Sequence, residues 1–237
     1  MFNICRWLHE RLECLPLIQF PFELNQLPDN GIYCFYERGE LWGHGGPTPR
    51  IVRIGTHKDG NFRSRISEHY LLVDAKMKFD ETMPAPKDRS IFRKNLGRAL
   101  LNKNKDEYYK ELWEVDFTTS ANRAKYKRQR DIAHEMMIER KVTDLIRERF
   151  SFRFISVPDE RTRIGSSGFE SALIGTCAGC ESCGPSSKWL GLHSPKALIR
   201  DSGLWLVQHL SAPCLNERQA TRLDGLIKQT ERMVKFR

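Results

Sequence analysis

Gly31-Ile32-Tyr33-Cys34-Phe35-Tyr36 and Arg50-Ile51-Val52-Arg53-Ile54-Gly55 are the two stretches from which the fold can be read. Both are rich in β-branched and aromatic residues, which fit a pleated and half-buried surface. Asp29-Asn30-Gly31 is a turn signal that opens the first stretch. That strand turns at Arg38-Gly39 and resumes at Leu41-Trp42, and His44 to Pro49 reads as a loop of glycines and prolines. The pair forms a β-hairpin-like unit with an elaborated connection.

Working outward, Phe2, Ile4, Trp7, Leu8 and Leu12 recur at helical spacing and predict a short amphipathic helix over 2–14. Pro16 and Pro21 then break regularity. Phe62, Ile66 and Tyr70 predict a helix over 62–72, followed by a loop over 73–89. A helix over 91–101 is expected to turn Ile91, Leu96, Ala99 and Leu100 inward, and 107–117 to run from helix into strand. Residues 121–150 are the longest helical stretch, with Ile132, Met136, Ile138, Val142, Leu145 and Ile146 as its apolar stripe. Ser151 to Val157 alternates as a strand that Pro158 ends. A helix over 167–176 opens at Ser167-Gly168, an apolar run follows at 204–210, and 215–235 closes the chain as a helix. The fold class is α/β (α+β), a small antiparallel sheet flanked by helices. We divide it into an N-terminal helical extension (1–27), a core (28–192) with a helical insertion at about 73–150, and a C-terminal helical extension (193–237).

The 237 residues carry 39 Lys and Arg against 30 Asp and Glu, a formal net charge of +9, and the pI is about 9.3. That length and a 40 % hydrophobic content support a substantial core and exclude a disulfide mini-protein, a collagen or a low-complexity tail. The basic excess points to an anionic partner, nucleic acid being the commonest. No apolar run reaches the roughly 18 residues of a membrane span. Charged residues interrupt the start of the chain, so no signal peptide is expected there. Seven cysteines, an odd number, fit reduced thiols in a cytoplasmic protein better than a disulfide framework.

The chemistry is carried by a few positions. Arg65 and His69 stand at i and i+4, so both project from one helix face. Arg offers a permanently charged fork of donors for phosphoryl oxygens. His binds phosphate or moves a proton near neutral pH. Glu170, in the first turn of its helix, is a hard oxygen ligand suited to one Mg²⁺.

Gly31-Ile32-Tyr33, followed on the next main strand by Arg53-Ile54-Gly55, resembles the two half-motifs of the GIY-YIG nuclease superfamily. Arg65-Ile-Ser-Glu-His69 is similar to the family's Arg-x-x-x-His, and Glu170-Ser-Ala-Leu-Ile174 to its metal-binding glutamate helix. The resemblance spans roughly residues 28 to 192. It implies a restriction-type or phage-defence DNA endonuclease using Mg²⁺ or Mn²⁺, with Tyr33 as the base that activates water. Two positions depart from the pattern. Arg53 stands where the family usually has a second tyrosine, and His57 is the polar substitute nearest to it. The asparagine often found some dozen residues after the glutamate has no counterpart in Ser186-Ser187-Lys188-Trp189, where Lys188 is the candidate phosphate contact. These departures keep a second reading open, a catalytically impaired nucleic-acid-binding module on the same fold.

Two further clusters stand out. Cys177-x-x-Cys180-x-x-Cys183 has the spacing of a Zn²⁺ site, with Cys214, His193 or His209 as the fourth ligand. A zinc-braced interaction domain is the third reading of the chain. Arg123, Lys125, Lys127, Arg128 and Arg130 form a basic stretch without acids that can lie along a phosphate backbone. Arg93 and Lys94, beside Arg98, form a second basic face, with Arg53 as a further phosphate contact. Tyr108, Tyr109 and Trp113 are assigned to the core. The expected partner is DNA, with no membrane, and the oligomeric state stays open, a homodimer included.

Overall fold

The computed structural model describes residues 3–165 and 168–235. In chain order these form α1 (Ile4–Leu12), β1 (Ile18–Gln19), β2 (Gly31–Leu41), β3 (Pro49–Gly55), α2 (Phe62–Tyr70), α3 (Pro86–Arg89), α4 (Ile91–Lys103), α5 (Lys110–Glu114), α6 (Ser120–Tyr126), α7 (Ile132–Arg149), β4 (Phe150–Ser156), α8 (Glu160–Arg163), α9 (Phe169–Ala178), α10 (Ala197–Ser202) and α11 (Glu217–Lys235). The strands make one antiparallel sheet in the order β1-β4-β2-β3. This is the small antiparallel sheet flanked by helices that the sequence implies.

Alternation along the strands divides the core in two. Tyr33, Phe35, Phe152 and Phe154 face one helical layer, where Phe62, Ile66 and Tyr70 of α2, Phe92 and Leu96 of α4, Trp113 of α5 and Val142 of α7 meet them. Ile32, Cys34, Tyr36 and Ile155 face the other, against Leu8 and Leu12 of α1, Leu173 and Ile174 of α9, and Leu223 and Ile227 of α11. On β3 a bulge adjusts this alternation. The consecutive Phe35 and Tyr36 pair with Arg53 and Ile51, so Val52 is the extra residue. Ile51 and Ile54 thereby serve the second layer, while Arg53 and Gly55 face the same side as Tyr33.

Several local expectations are corrected. The strand does not end at Arg38-Gly39. β2 runs through to Leu41, with Gly39 at φ +92 and an irregular register there. β1, lying between Pro16 and Pro21, adds two residues to the edge of β4. Ile91 is 52 % exposed, because Phe92, Leu96 and Ala99 take the inward stripe of α4. The 107–117 segment forms only the single turn-and-a-half of α5, with no strand. Tyr109 and Trp113 are core residues, whereas Tyr108 is exposed. The expected 121–150 helix is two helices. α6 ends at Tyr126 and a turn follows, and Asp131, extended, accepts from the His134 N–H and caps the start of α7. The 204–210 run forms no regular element, and the Trp205 N–H joins the outer edge of β3 at the Val52 carbonyl (2.7 Å). Ser167 lies outside the described residues, and α9 begins at Phe169 with Gly168 as its cap.

The first helical layer encloses charge. Arg93 Nε and its terminal nitrogen reach Glu139 Oε2 at 3.1 and 2.6 Å, with both side chains fully buried. Arg130 pairs with Glu135 at 2.8 Å, and Lys87 lies 2.9 Å from Asp88, again without exposure. Lys94 donates to the Glu114 carbonyl at 2.6 Å. Arg93, Lys94 and Arg130 were expected to meet nucleic acid. They are instead buried structural cations, committed to carboxylates and carbonyls inside the protein.

Removing one member of a buried pair leaves the other charge without compensation. Glu139→Ala should therefore lower the unfolding free energy by about 3–5 kcal/mol in urea titration. Exposed Lys125→Ala should change it by no more than about 0.5 kcal/mol. A loss below about 1 kcal/mol in Glu139→Ala would mean that this pair does not hold α4 to α7.

Candidate active site

The site lies where the ends of β2 and β3 meet α2 on one face and the start of α9 on the other. Tyr33 pairs with Gly55 across the β2–β3 ladder. A Cβ at position 55 would stand 2.3 Å from Tyr33 Oη, so only glycine lets the ring lie over this strand. Gly31 is held similarly, since its Cβ would fall 2.6 Å from the Ile155 carbonyl oxygen. The two glycines of the half-motifs thus answer to close packing around one tyrosine.

Tyr33 Oη is 3.0 Å from His69 Nε2, and His69 Nδ1 is 2.7 Å from Ser90 Oγ. Ser90 is also the N-cap of α4, accepting from the Arg93 N–H. His69 is fully buried. Its pKa is driven well below the ordinary value, first by burial and then by the charges of Arg53, Arg65 and Arg93. The ring is neutral at pH 7, and both nitrogens are engaged, so no nitrogen is left for phosphate.

Arg65, four residues earlier on α2, keeps a side-chain exposure of 37 %. It donates to Glu68 at 3.0 Å and to the Arg89 carbonyl at 2.9 Å, which fixes the guanidinium at the rim. His57 is also neutral. Burial lowers its pKa, with Arg163 and Arg65 adding to the effect against the Lys58 carbonyl. Its Nδ1 lies 2.5 Å from that carbonyl and so carries the proton, while the buried Nε2 has no partner. A free lone pair remains inside the site.

Glu170 reaches this corner from the opposite layer. Its Oε1 accepts from the Thr56 N–H at 3.1 Å, and Thr56 Oγ1 donates to the Gly31 carbonyl at 2.8 Å. Burial raises the Glu170 pKa, opposed by the Thr56 N–H and by the charges of His209 and Arg53. A divalent cation would reverse the burial effect by favouring the carboxylate. One hard carboxylate suits an ion that keeps most of its waters, as Mg²⁺ does.

Arg53 faces the Tyr33 side but is not free. It is 7 % exposed, donates to the Trp205 carbonyl at 2.6 Å, and its guanidinium carbon lies 5.1 Å from the Phe92 ring centroid. Lys188 is exposed, on a segment that Ser186 ties to Glu40. Lys125, Lys127 and Arg128 are exposed around the end of α6, while Arg123 donates to the Phe117 and Thr118 carbonyls.

The cysteine expectation is corrected in its membership. Cys180 and Cys183 converge with Cys5 and His44, the four ligand atoms lying within 4.8 Å of one another. Cys177 contacts Cys5 from α9 but falls outside this group. Cys214 lies against the Gly175 carbonyl, His193 beside Asn102 of α4, and His209 near Glu170. None of these supplies the fourth position, because the fold brings α1 and the β2–β3 loop to the cysteines first.

Ser90 and Thr56 were missed from sequence, and His209 was named only as a possible zinc ligand. Ser90 had a signal, as a serine directly before a helix. Thr56 had none, and the place of His209 near Glu170 had none either, since both depend on where α9 reaches the sheet.

The GIY-YIG domain family model matches residues 6–233, nearly the whole chain, and the chain belongs to that family. No curated protein and no solved structure matches it significantly. GIY-YIG domains are generally endonuclease domains acting on DNA and dependent on metal. No helix among the described residues is long and apolar enough to cross a membrane.

His69 gives a pH signature. The unfolded chain takes up a proton there near the ordinary value of 6.5, and the folded protein does not. The folded pKa is the lower one, so this stability is fully present above pH 6.5 and is lost as pH falls. The slope is about 1.4 kcal/mol per pH unit for one such histidine. His69→Gln should reduce the slope of unfolding free energy between pH 6.5 and about pH 5 by that amount. An unchanged slope would show that His69 is protonated in the folded protein.

Proposed function

We propose that this GIY-YIG protein is a metal-dependent DNA endonuclease, hydrolysing phosphodiester bonds with Mg²⁺ or Mn²⁺, of restriction or phage-defence type. The observation that carries the reading is Tyr33 Oη held 3.0 Å from a buried, neutral His69 whose other nitrogen is occupied by Ser90. Hydrolysis forms a bond from a water oxygen to phosphorus and breaks the bond from phosphorus to the leaving 3′ oxygen. The water must lose a proton as it attacks. Tyr33, acting as the phenolate, takes that proton at Oη, and His69 Nε2, 3.0 Å away, holds the oxygen in position. Arg65 stands at the rim, exposed enough to meet phosphoryl oxygens and anchored enough to stay in place. Glu170 would hold the metal. When bound, the ion supplies positive charge at the leaving oxygen. Lys125, Lys127 and Arg128 supply non-specific attraction to the DNA backbone.

One observation favours the binding-module alternative. Arg53 replaces the second tyrosine, and its guanidinium is spent partly on the Trp205 carbonyl. Plasmid nicking with and without Mg²⁺ or Mn²⁺ separates the two readings, since the module would bind DNA and leave it intact.

Glu170→Ala and Arg65→Ala should each reduce the cleavage rate by about two to three orders of magnitude, the scale of losing one electrostatic stabiliser. DNA affinity should survive both changes, because phosphate contacts are distributed. Tyr33→Phe keeps the ring over Gly55 and deletes only the hydroxyl. If a folded Tyr33→Phe protein cleaves at the wild-type rate, the base lies elsewhere, and His57 Nε2 is the next atom to examine.

The basic segment is tested separately. Replacing Lys125, Lys127 and Arg128 together with alanine should weaken binding equally across sequences. The log–log salt slope should flatten by up to about three units. A slope equal to wild type would make the segment an ordinary solvated surface.

A further inference from the structure

Cys5 sits on α1, His44 in the loop between β2 and β3, and Cys180 and Cys183 just beyond α9. These segments are far apart in the chain, yet the fold delivers four soft ligand atoms to one point. Cys5 Sγ lies 3.8 Å from Cys183 Sγ, and Cys180 Sγ lies 3.3 Å from His44 Nε2. All seven cysteines are free. The 3.8 Å separation is well beyond the ~2.05 Å of a disulfide bond. It agrees instead with the edge of a tetrahedron around zinc. With Zn–S near 2.3 Å and Zn–N near 2.0–2.1 Å, sulfur–sulfur edges are about 3.8 Å and sulfur–nitrogen edges about 3.6 Å.

The surroundings are built to hold this arrangement. His9 Nε2 accepts from the Ile51 N–H at 3.2 Å, which leaves the proton on Nδ1. Nδ1 is 2.9 Å from the Cys5 carbonyl oxygen and 3.6 Å from Cys5 Sγ, so His9 donates toward the first ligand from behind. Such outer contacts orient metal ligands and are characteristic of metal sites. The backbone N–H groups of Gly43 and Ser182 point at the sulfurs of Cys183 and Cys180. The β2–β3 loop is pressed against the Cys-x-x-Cys turn so closely that a Cβ on Gly43 would lie 1.4 Å from the Ser182 carbonyl oxygen. Trp42 roofs the cluster, its ring 5.3 Å from that of His44 and 5.7 Å from that of His9. Cys5, Trp42 and Cys183 form an apolar cluster separate from the two main cores, too small to fix the β2–β3 loop and the Cys-x-x-Cys turn by burial alone.

We propose that Cys5, His44, Cys180 and Cys183 bind one structural Zn²⁺. Three thiolates and one imidazole in a closed tetrahedron favour zinc over Mg²⁺ or Ca²⁺, which prefer oxygen. No ligand position is left open, so the ion braces the fold and takes no part in hydrolysis. This site is independent of the nuclease reading and stands whether or not the protein cuts DNA.

The test uses the full chain, purified without chelator from zinc-supplemented medium. Elemental analysis should give about one zinc per chain, and chelator treatment should lower the melting temperature. Adding Co²⁺ to the stripped protein should produce the visible d–d bands of a tetrahedral thiolate site. Cys180→Ser and His44→Ala should each cost most of the bound zinc. Cys14→Ser and Cys214→Ser, both exposed and outside the group, should retain all of it. Cys177→Ser should also retain it, which separates this ligand set from the three cysteines adjacent in sequence. His44 is only partly buried, so a folded His44→Ala protein is expected and can be confirmed by circular dichroism. The proposal is overturned if the full chain takes up neither zinc nor cobalt. It is equally overturned if Cys177→Ser loses metal as completely as Cys180→Ser.

Discussion

The Tyr33 ring lies over Gly55, and the geometry of the site follows from that contact. The two residues are register partners on adjacent strands, and no Cβ fits between Gly55 and the phenol. Phe35 and Phe62 pack against the ring with tilts of 75° and 64°, so it has one position. A fixed ring means a fixed Oη, and a fixed Oη is what allows one histidine on α2 to meet it at hydrogen-bond distance. The bulge at Val52 belongs to the same arrangement. Without it Ile51, Arg53 and Gly55 would share a face, and an isoleucine of the second core would be turned into the first.

The electrostatics around this contact are one-sided. Burial first, and then the charges of Arg53, Arg65 and Arg93, keep the His69 imidazole neutral, so it meets the Tyr33 hydroxyl as a hydrogen-bond partner and not as a cation. The same positive field favours an incoming phosphate. The three arginines differ in their commitments. Arg93 is neutralised by Glu139, Arg53 is tied to a carbonyl, and Arg65 alone keeps substantial side-chain exposure. Arg53 also lowers the pKa of Glu170 against the effect of burial. Its charge is therefore felt on both sides of the sheet end, which a second phenol could not achieve. Replacing tyrosine by arginine at this position trades a hydroxyl for a positive field that acts on both His69 and Glu170.

Much of this was legible in the chain. The two strands, the i, i+4 pair of Arg65 and His69, and the helix of Glu170 all rest on local spacing, which a sequence displays directly. What was not legible depends on long-range placement. The charges of Arg93, Lys94 and Arg130 read as a solvated basic face because their partners, Glu139, the Glu114 carbonyl and Glu135, lie up to 46 residues away. Cys177, Cys180 and Cys183 were grouped by adjacency, whereas Cys5 lies 178 residues from Cys183 and shares no motif with it. The 121–150 stripe is periodic throughout, but the periodicity says nothing of the cap at Asp131 that splits it. For the buried cations and the cysteines the missing information was which distant segment packs beside them, whereas the 121–150 stretch was misread locally as one helix.

The remaining constraint is axial. α9 has ten residues, no polar side chain at its cap, and a largely apolar surface, so it has little to fix its position along its own axis. Its front is held where Glu170 accepts from the Thr56 N–H. Its middle is held where Gly175 lies so close to the Ala212 carbonyl that a Cβ would come within 2.1 Å, and where Thr176 Oγ1 accepts from the Leu215 N–H. Its rear runs directly into Cys180 and Cys183. An α-helix turns about 100° and advances 1.5 Å per residue. A slip of a single residue would swing Glu170 away from the sheet end altogether. A carboxylate that meets the Thr56 N–H from the opposite layer is therefore held best when its helix is anchored at the far end as well as the near one. The cysteine cluster sits where that second anchor is required.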